Sequence, residues 1–420
     1  MRSRAQNCTP RKLKLPALRN FKELFMENSR LMSFKSEIAE ELTGRIIPFW
    51  KSMRDNARGG FYGLLDCNLN LDRNAPKGCI LNSRILWFFS SACKVLGDEG
   101  LAEYARHAYS FLKEFCLDKK NGGVFWSLNA DGTVLDSVKH TYNQAFAIYA
   151  LSSYYGMTGD AEALETALSL FKIIEEKCTD EGGYLESFTQ DFKPESNEKL
   201  SENGVLADRT MNTLLHVMEA YTGLYQVSKN QQVKERLQFA LTVFAEKIWN
   251  AQLKRQEVFF DKSYRSLIDL YSYGHDIESS WLIDRALEVL GDSDLSRKLA
   301  PVTQEMAQHI YSVAFKNGSV LNECDRGAVN ETRVWWIQAE SIVGFFNAYQ
   351  KTGSSQFLDA AVSVWQFIKK YIADKRQGGE WFGYVDKNGV PDFSRPIVEP
   401  WKCPYHNGRM CLEIIQRISG

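Results

Sequence analysis

Gly122-Gly123-Val124-Phe125-Trp126-Ser127-Leu128-Asn129-Ala130-Asp131-Gly132 decides the fold, because versions of it recur along the chain. A glycine pair, a short alternating run and an Asn/Asp/Gly turn read as a small β-hairpin. Related segments are Gly59-Gly60-Phe61-Tyr62-Gly63, Gly182-Gly183-Tyr184-Leu185, Val258-Phe259-Phe260-Asp261, Gly318-Ser319-Val320-Leu321 and Gly378-Gly379-Glu380-Trp381-Phe382. Measured between residues 60, 123, 183, 258, 318 and 379, the steps are 63, 60, 75, 60 and 61. A fixed period of this kind marks an array of supersecondary units. The one long step contains the polar stretch Asp191 to Asp208, which reads as an inserted loop.

Two helical patterns lie between successive hairpins: 81–97 with 100–117, 139–157 with 160–178, 209–229 with 231–249, 275–291 with 294–315, and 334–353 with 355–373. Apolar residues recur at helical spacing, as in Ile342, Phe345, Phe346 and Tyr349. Gly-Asp separates the members of several pairs (Gly97-Asp98, Gly159-Asp160, Gly291-Asp292). Glycine suits a left-handed helix stop, and Asp caps the next start. One unpaired helix precedes the first hairpin (28–55) and a short one follows the last (406–418). If these two pair, six units close into an all-α double ring: an (α/α)6 barrel of twelve helices with short β-hairpins in the connecting loops. An open solenoid is the alternative. Closure is favoured because it covers the apolar faces of both end helices.

Composition fits one large soluble domain. Of 420 residues, 44% are apolar and 25% charged. The net charge of −1 leaves no electrostatic footprint for nucleic acid. No uninterrupted apolar run of membrane-spanning length stands out, so no membrane partner is expected. Nine cysteines are scattered without a C-x-x-C pair, which suggests neither a zinc cluster nor a disulfide framework and fits a reducing cytoplasm. Residues 1–32 read as a basic tail outside a single domain at 33–420; Arg2, Arg4, Arg11, Lys12, Lys14 and Arg19 occur in its first 20 residues without an acid. They lack the apolar stretch of a secretory signal. Aromatic residues make up 13% of the chain, and their faces suit the C–H faces of sugar rings.

Three histidines stand in unusual company. Ser272-Tyr273-Gly274-His275-Asp276-Ile277-Glu278-Ser279-Ser280-Trp281 opens a helix directly after a loop. His275 and Glu278 are three apart and share a face. They read either as a helix-start cap or as a histidine acid/base with a carboxylate beside it. Trp401-Lys402-Cys403-Pro404-Tyr405-His406-Asn407-Gly408-Arg409 leads into the last helix, and Pro404 keeps Cys403 extended, so His406 falls near a helix N-terminus. Asn212, His216 and Glu219 share one face of a third helix, a costly polar stripe unless bonded or facing a wet pocket. Arg84, Tyr142, Asn143, Trp336 and Glu340 complete the candidates; the last two are four apart and face together. His275-x-x-Glu278 has usable metal spacing, but H-E-x-x-H and clustered cysteines are absent, so no metal is expected. Phosphate-binding glycine motifs are absent as well.

Taken together, Arg84 with Leu86-Trp87, Tyr142 to Phe146, Asn212 to His216, Ser272 to Trp281, Trp335 to Glu340 and Trp401 to Asn407 resemble the N-acylglucosamine 2-epimerase superfamily. The resemblance runs from about residue 35 to the C-terminus. His140 and Asn143 depart from the common pattern. The segments 274–281 and 401–409 look most like the branch that acts on β-1,4-linked disaccharides.

The resemblance implies cofactor-independent epimerisation at C2 of the reducing-end sugar. The sequence itself leaves the oligomeric state open, and a monomer is the default expectation. The resemblance implies His275 and His406 as the acid/base pair, with Glu278 tuning or orienting His275 and helping the ring-opening proton transfer. Arg84, Tyr142 and His216 would donate to O1 and O2, and Asn212 would position a hydroxyl. Trp336 and Trp401 would stack on the sugar, Glu340 would bond a hydroxyl, and Asn143 and Trp281 join the substrate-binding set. Its rivals are N-acylglucosamine 2-epimerases and mannose isomerases within the superfamily. Outside it stand an inverting glycosidase, with Glu278 and Glu340 as its carboxylates, and a non-catalytic sugar-binding protein.

Overall fold

The computed structural model describes residues 21–199 and 203–419, with side chains from residue 26 onward. Twelve helical rods account for most of these residues. α1 (Phe21–Glu41) passes through a π-turn at Leu42–Ile46 into α2 (Ile47–Ser52) as one rod, because Glu41, Ile46 and Ile47 keep right-handed helical angles. Five helix pairs follow: α3 (Cys79–Leu96) with α4 (Ala102–Phe111), α5 (Thr141–Thr158) with α6 (Ala161–Lys177), α7 (Met211–Ser228) with α8 (Gln231–Val243), α9 (Tyr273–Leu290) with α10 (Ser293–Val313), and α11 (Trp335–Thr352) with α12 (Ser355–Phe367). α13 (His406–Ser419) packs on α1 as the sixth pair.

The ring is closed. α3, α5, α7, α9, α11 and α13 pack in that order, and α13 returns to α3. The inner helices are buried almost all round, which explains their composition. α3 is long and apolar enough to meet a membrane-span criterion, contrary to the reading from sequence, yet 78% of it is buried as an inner helix. Outer helices bury one face only; in α10 the buried positions are Leu299, Thr303, Met306, Ala307 and Ile310. The anticipated glycine stops are present: Gly97, Gly159 and Gly291 take φ of 65°, 73° and 64°, and Asp98, Asp160 and Asp292 cap the helices that follow.

The strands do more than form local hairpins. The residues just before each inner helix pair with the loop of the next unit: Lys77 with Leu128, Lys139 with Phe188, Arg209 with Phe260, Ser272 with Glu323 and Val334 with Tyr384. A bridge between Leu65 and Val398 closes this second, backbone ring. Polar side chains fix the register. Asn82 Oδ1 accepts from Phe61 N at 3.0 Å, Gln144 Oε1 from Val124 N at 2.7 Å and Gln338 Oε1 from Val320 N at 2.8 Å. Buried ion pairs repeat likewise: Lys77–Asp55 at 2.8 Å, Lys139–Asp118 at 3.1 Å and Lys402–Glu380 at 2.6 Å. The glycine pairs make room for these ties, since a Cβ on Gly60 would lie 2.8 Å from Asn82 Oδ1 and one on Gly123 2.8 Å from Gln144 Oε1. As a result all six inner helices start at the same end of the barrel.

Residues 1–20 of the expected basic tail lie outside the described residues, whereas α1 begins at Phe21, inside the segment assigned to that tail. The inserted loop is tied to the barrel by Asn197 Oδ1 on His140 Nε2 (3.0 Å) and by the Lys199–Asp136 ion pair. Among the described residues, eight cysteines are free.

Candidate active site

A cavity of about 930 Å³ opens at the end where the inner helices start. Every inner helix gives it a side chain from its first two turns: Arg84 (α3), Tyr142 (α5), Asn212 and His216 (α7), His275 and Glu278 (α9), Trp336 (α11) and His406 (α13). Trp401 joins them from the loop before α13. The volume lies in the range of small-molecule binding sites.

His275 and His406 both pack against Trp336, with ring centroids 4.9 and 5.3 Å from it. Ser272 stands at the N-cap of α9 but makes no side-chain cap; its hydroxyl is 2.7 Å from His275 Nδ1. Burial lowers His275 to about 3, so its ring is neutral at physiological pH. His406 Nδ1 is 2.7 Å from Glu340 Oε1, and burial together with Arg409 and Arg84 holds this ring well below the usual histidine range. In each ring Nδ1 is occupied, which leaves Nε2 for the cavity.

Beneath the cavity, Arg409 meets three buried carboxylates. It donates through Nη1 to Glu219, and through Nη2 to Glu278 and, at 2.7 Å, to Glu340. One guanidinium cannot balance three negative charges in a buried site, so the carboxyls divide. Burial would raise Glu219, but Arg409 and His216 hold it at about 2. Burial and the adjacent Glu340 push Glu278 up to about 8, so it keeps its proton at neutral pH. Glu278 Oε2 has no hydrogen-bond partner among the described residues and lies in a residue that lines the cavity.

On the opposite wall Arg84 donates to Tyr142 Oη at 2.8 Å and to the Trp401 carbonyl at 3.2 Å. Its donation leaves the Tyr142 hydroxyl proton free to point elsewhere, and burial raises this phenol. Trp401 packs edge-on against Trp126 at 5.6 Å. Asn212 Oδ1 has no partner among the described residues.

Three expected sugar ligands are elsewhere. Asn143 is buried, and its amide donates to the Phe125 carbonyl at 2.7 Å, tying α5 to its hairpin. Trp281 is buried, and its Nε1 donates to Glu340 Oε2 at 3.0 Å. Glu340 is 0% exposed, and its oxygens are taken by Trp281, Arg409 and His406; it supports His406 and cannot reach a sugar hydroxyl. Glu278 also differs from expectation: its partner is Arg409, and His275 is held by Ser272. Arg409, Glu219 and Tyr405 were not selected from sequence, although the inward polar stripe 212–216–219 and the 401–409 motif contain all three.

Glu278, Glu340 and His406 bring potential metal-ligand atoms within 4.8 Å of one another. Arg409 already donates to both carboxylates there, so a cation would have to displace those bonds. The same 4.8 Å grouping is too tight for the carboxylate pair of an inverting glycosidase, which needs about 6.5–9.5 Å.

Two neutral histidines against one tryptophan, with a proton-bearing carboxyl lining the same cavity, define a proton-transfer enzyme for carbohydrate. The chain belongs to the N-acylglucosamine 2-epimerase family, whose model matches residues 59–407. It is 50% identical over 382 residues to the cellobiose 2-epimerase of Ruminococcus albus, covering 91% of this chain and 98% of that one. Among solved structures, a sugar epimerase from a ruminal bacterium superposes with a TM-score of 0.91 at 49% identity, covering 91% of this chain and 99% of that one. The cellobiose 2-epimerase of Bacillus thermoamylovorans B4167 gives 0.89 at 45% identity, covering 92% and 99%.

Proposed function

We propose that this protein interconverts glucose and mannose at the reducing end of β-1,4-linked disaccharides, cellobiose among them, by removing and returning the C2 proton. The observation that carries the reading is that His275 and His406 both stand against Trp336, both neutral and both lining one cavity. Inversion at C2 needs a proton acceptor on one face and a donor on the other. An enzyme with one such group would return the proton to the face it came from.

The C2 hydrogen becomes acidic only in the open-chain aldehyde, where the C1 carbonyl spreads the charge. The ring therefore opens first, and Glu278 holds the proton for the departing ring oxygen. One histidine then takes the C2 proton, giving an enediolate. Arg84 and Tyr142 donate to the oxygens where negative charge grows. The other histidine, in the tautomer whose Nε2 carries the proton, supplies that proton to the opposite face. For His275 this is the tautomer whose Nδ1 accepts from Ser272 Oγ. The two rings then return to their starting forms by proton exchange with solvent. The proton leaves and returns without net redox change, so the sequence of steps uses no hydride carrier.

Proton NMR of cellobiose incubated with the protein in D2O tests the reading. The expected result is a mannose-type reducing-end signal with deuterium at C2. Free glucose would instead identify a hydrolase, and an unchanged spectrum would rule out cellobiose as substrate.

A further inference from the structure

The cavity holds a second carboxylate-backed histidine that the proton transfers at C2 leave without a task. His216 Nδ1 is 2.9 Å from Glu219 Oε2, and both side chains are 3% exposed. Tyr405 donates to the same oxygen at 2.5 Å, and Arg409 donates to Glu219 Oε1. His216 and His406 thus share one design: Nδ1 on a buried carboxylate, and that carboxylate on Arg409. A histidine that only donates a hydrogen bond has no need of this, because a neutral amide would fix its tautomer equally well. An ionised carboxylate is costly to bury. Behind an imidazole its specific benefit is to stabilise the imidazolium, the form reached when Nε2 takes up a proton.

Ring opening supplies the missing task. It requires one group to remove the O1 proton and another to protonate O5. On the epimerase reading above, on which this inference rests, His275 and His406 serve the two faces of C2 and Glu278 serves O5. We propose that His216 is the ring-opening base. Its Nε2 takes the proton from O1, the C1–O1 double bond forms, the C1–O5 bond breaks, and O5 takes the proton from Glu278. Ring closure runs the same transfers backwards, so both residues return to their starting forms. Asn212, one turn earlier on α7 with an Oδ1 at the cavity that has no partner among the described residues, is placed to accept a hydrogen bond from a neighbouring sugar hydroxyl.

Ring opening and C2 chemistry are separable by NMR on the full-length protein. Magnetisation transfer between the α and β anomeric protons of cellobiose reads opening and closing, and deuterium uptake reads exchange at C2. The wild type is expected to accelerate both. His275→Asn and His406→Asn are expected to lose C2 exchange while still accelerating anomer exchange. His216→Asn and the isosteric Glu219→Gln are expected to lose the anomer acceleration by about a hundredfold. Glu219→Gln decides the matter if His216→Asn does not fold. Anomer exchange within about threefold of wild type in the folded variants overturns the assignment. So does a wild type that epimerises without accelerating anomer exchange. Failure of the epimerase reading is seen separately, as a wild type that takes up no deuterium at C2.

Discussion

The two histidines beside Trp336 are supported in opposite ways. His406 rests on Glu340, which rests on Arg409 and Trp281, so three layers of buried charge and hydrogen bonding fix one ring. His275 rests on a single hydroxyl, Ser272 Oγ, within its own helix start. A carboxylate stabilises an imidazolium and a hydroxyl does so only weakly, so His406 is the better proton holder and His275 the weaker base. Two equal bases would treat both epimers alike. Unequal ones make the two directions of the reaction differ in which step is slow.

Breaking the His406 side at its root gives the largest effect. Arg409→Leu leaves the ionised Glu219 without its buried cation and removes the donor shared by Glu278 and Glu340, and is expected to destabilise the fold by about 3–5 kcal/mol, read by denaturant unfolding. A loss below about 1 kcal/mol would mean that the cluster is already neutral. Glu340→Gln keeps shape but removes charge from behind His406. It is expected to weaken transition-state stabilisation by about 1.5–3 kcal/mol, a fall of about ten- to a hundredfold in kcat with KM little changed.

Glu278 sharpens the comparison through pH. Its folded value near 8 lies above the ordinary 4.5, so the folded state binds the extra proton between these limits. The stability it contributes is present below about 4.5 and is lost as pH rises through 8. The wild-type kcat/KM is expected to fall above about pH 8, and Glu278→Gln is expected to be slow and flat across that range. A limb that persists in the variant would assign it to another group. Ser272→Ala gives the smallest effect, about 1 kcal/mol or about fivefold in kcat. A Ser272→Ala loss as large as that of Glu340→Gln would erase the asymmetry.

The barrel was legible because its repeat is written twice, in the hairpin glycines and in the helix stops at Gly97, Gly159 and Gly291. The first turns of the inner helices were legible too, since a polar residue there has few reasons to exist other than a cavity. Depth was not. Trp336 and Glu340 share a helical face, yet one turn separates a cavity wall from a fully buried support. Trp281 and Asn143 misled in the same way. Arg409 and Glu219 are 190 positions apart, and Arg409 and Glu278 are 131 apart; only closure of the ring brings them together. The pairing of Leu65 with Val398 was equally hidden, because single-residue bridges carry no periodic pattern.

Because all six inner helices start at the cavity, their positive ends converge on it. That field is present before any substrate arrives and favours a flat, negatively charged guest over a neutral, puckered one. A hydroxamic acid built on a glucosylated two-carbon or three-carbon acid has that shape, and the helix ends favour its ionised form. It is expected to outcompete cellobiose, and its grip to resist added salt, since the helix ends that attract it are screened by the barrel rather than by water.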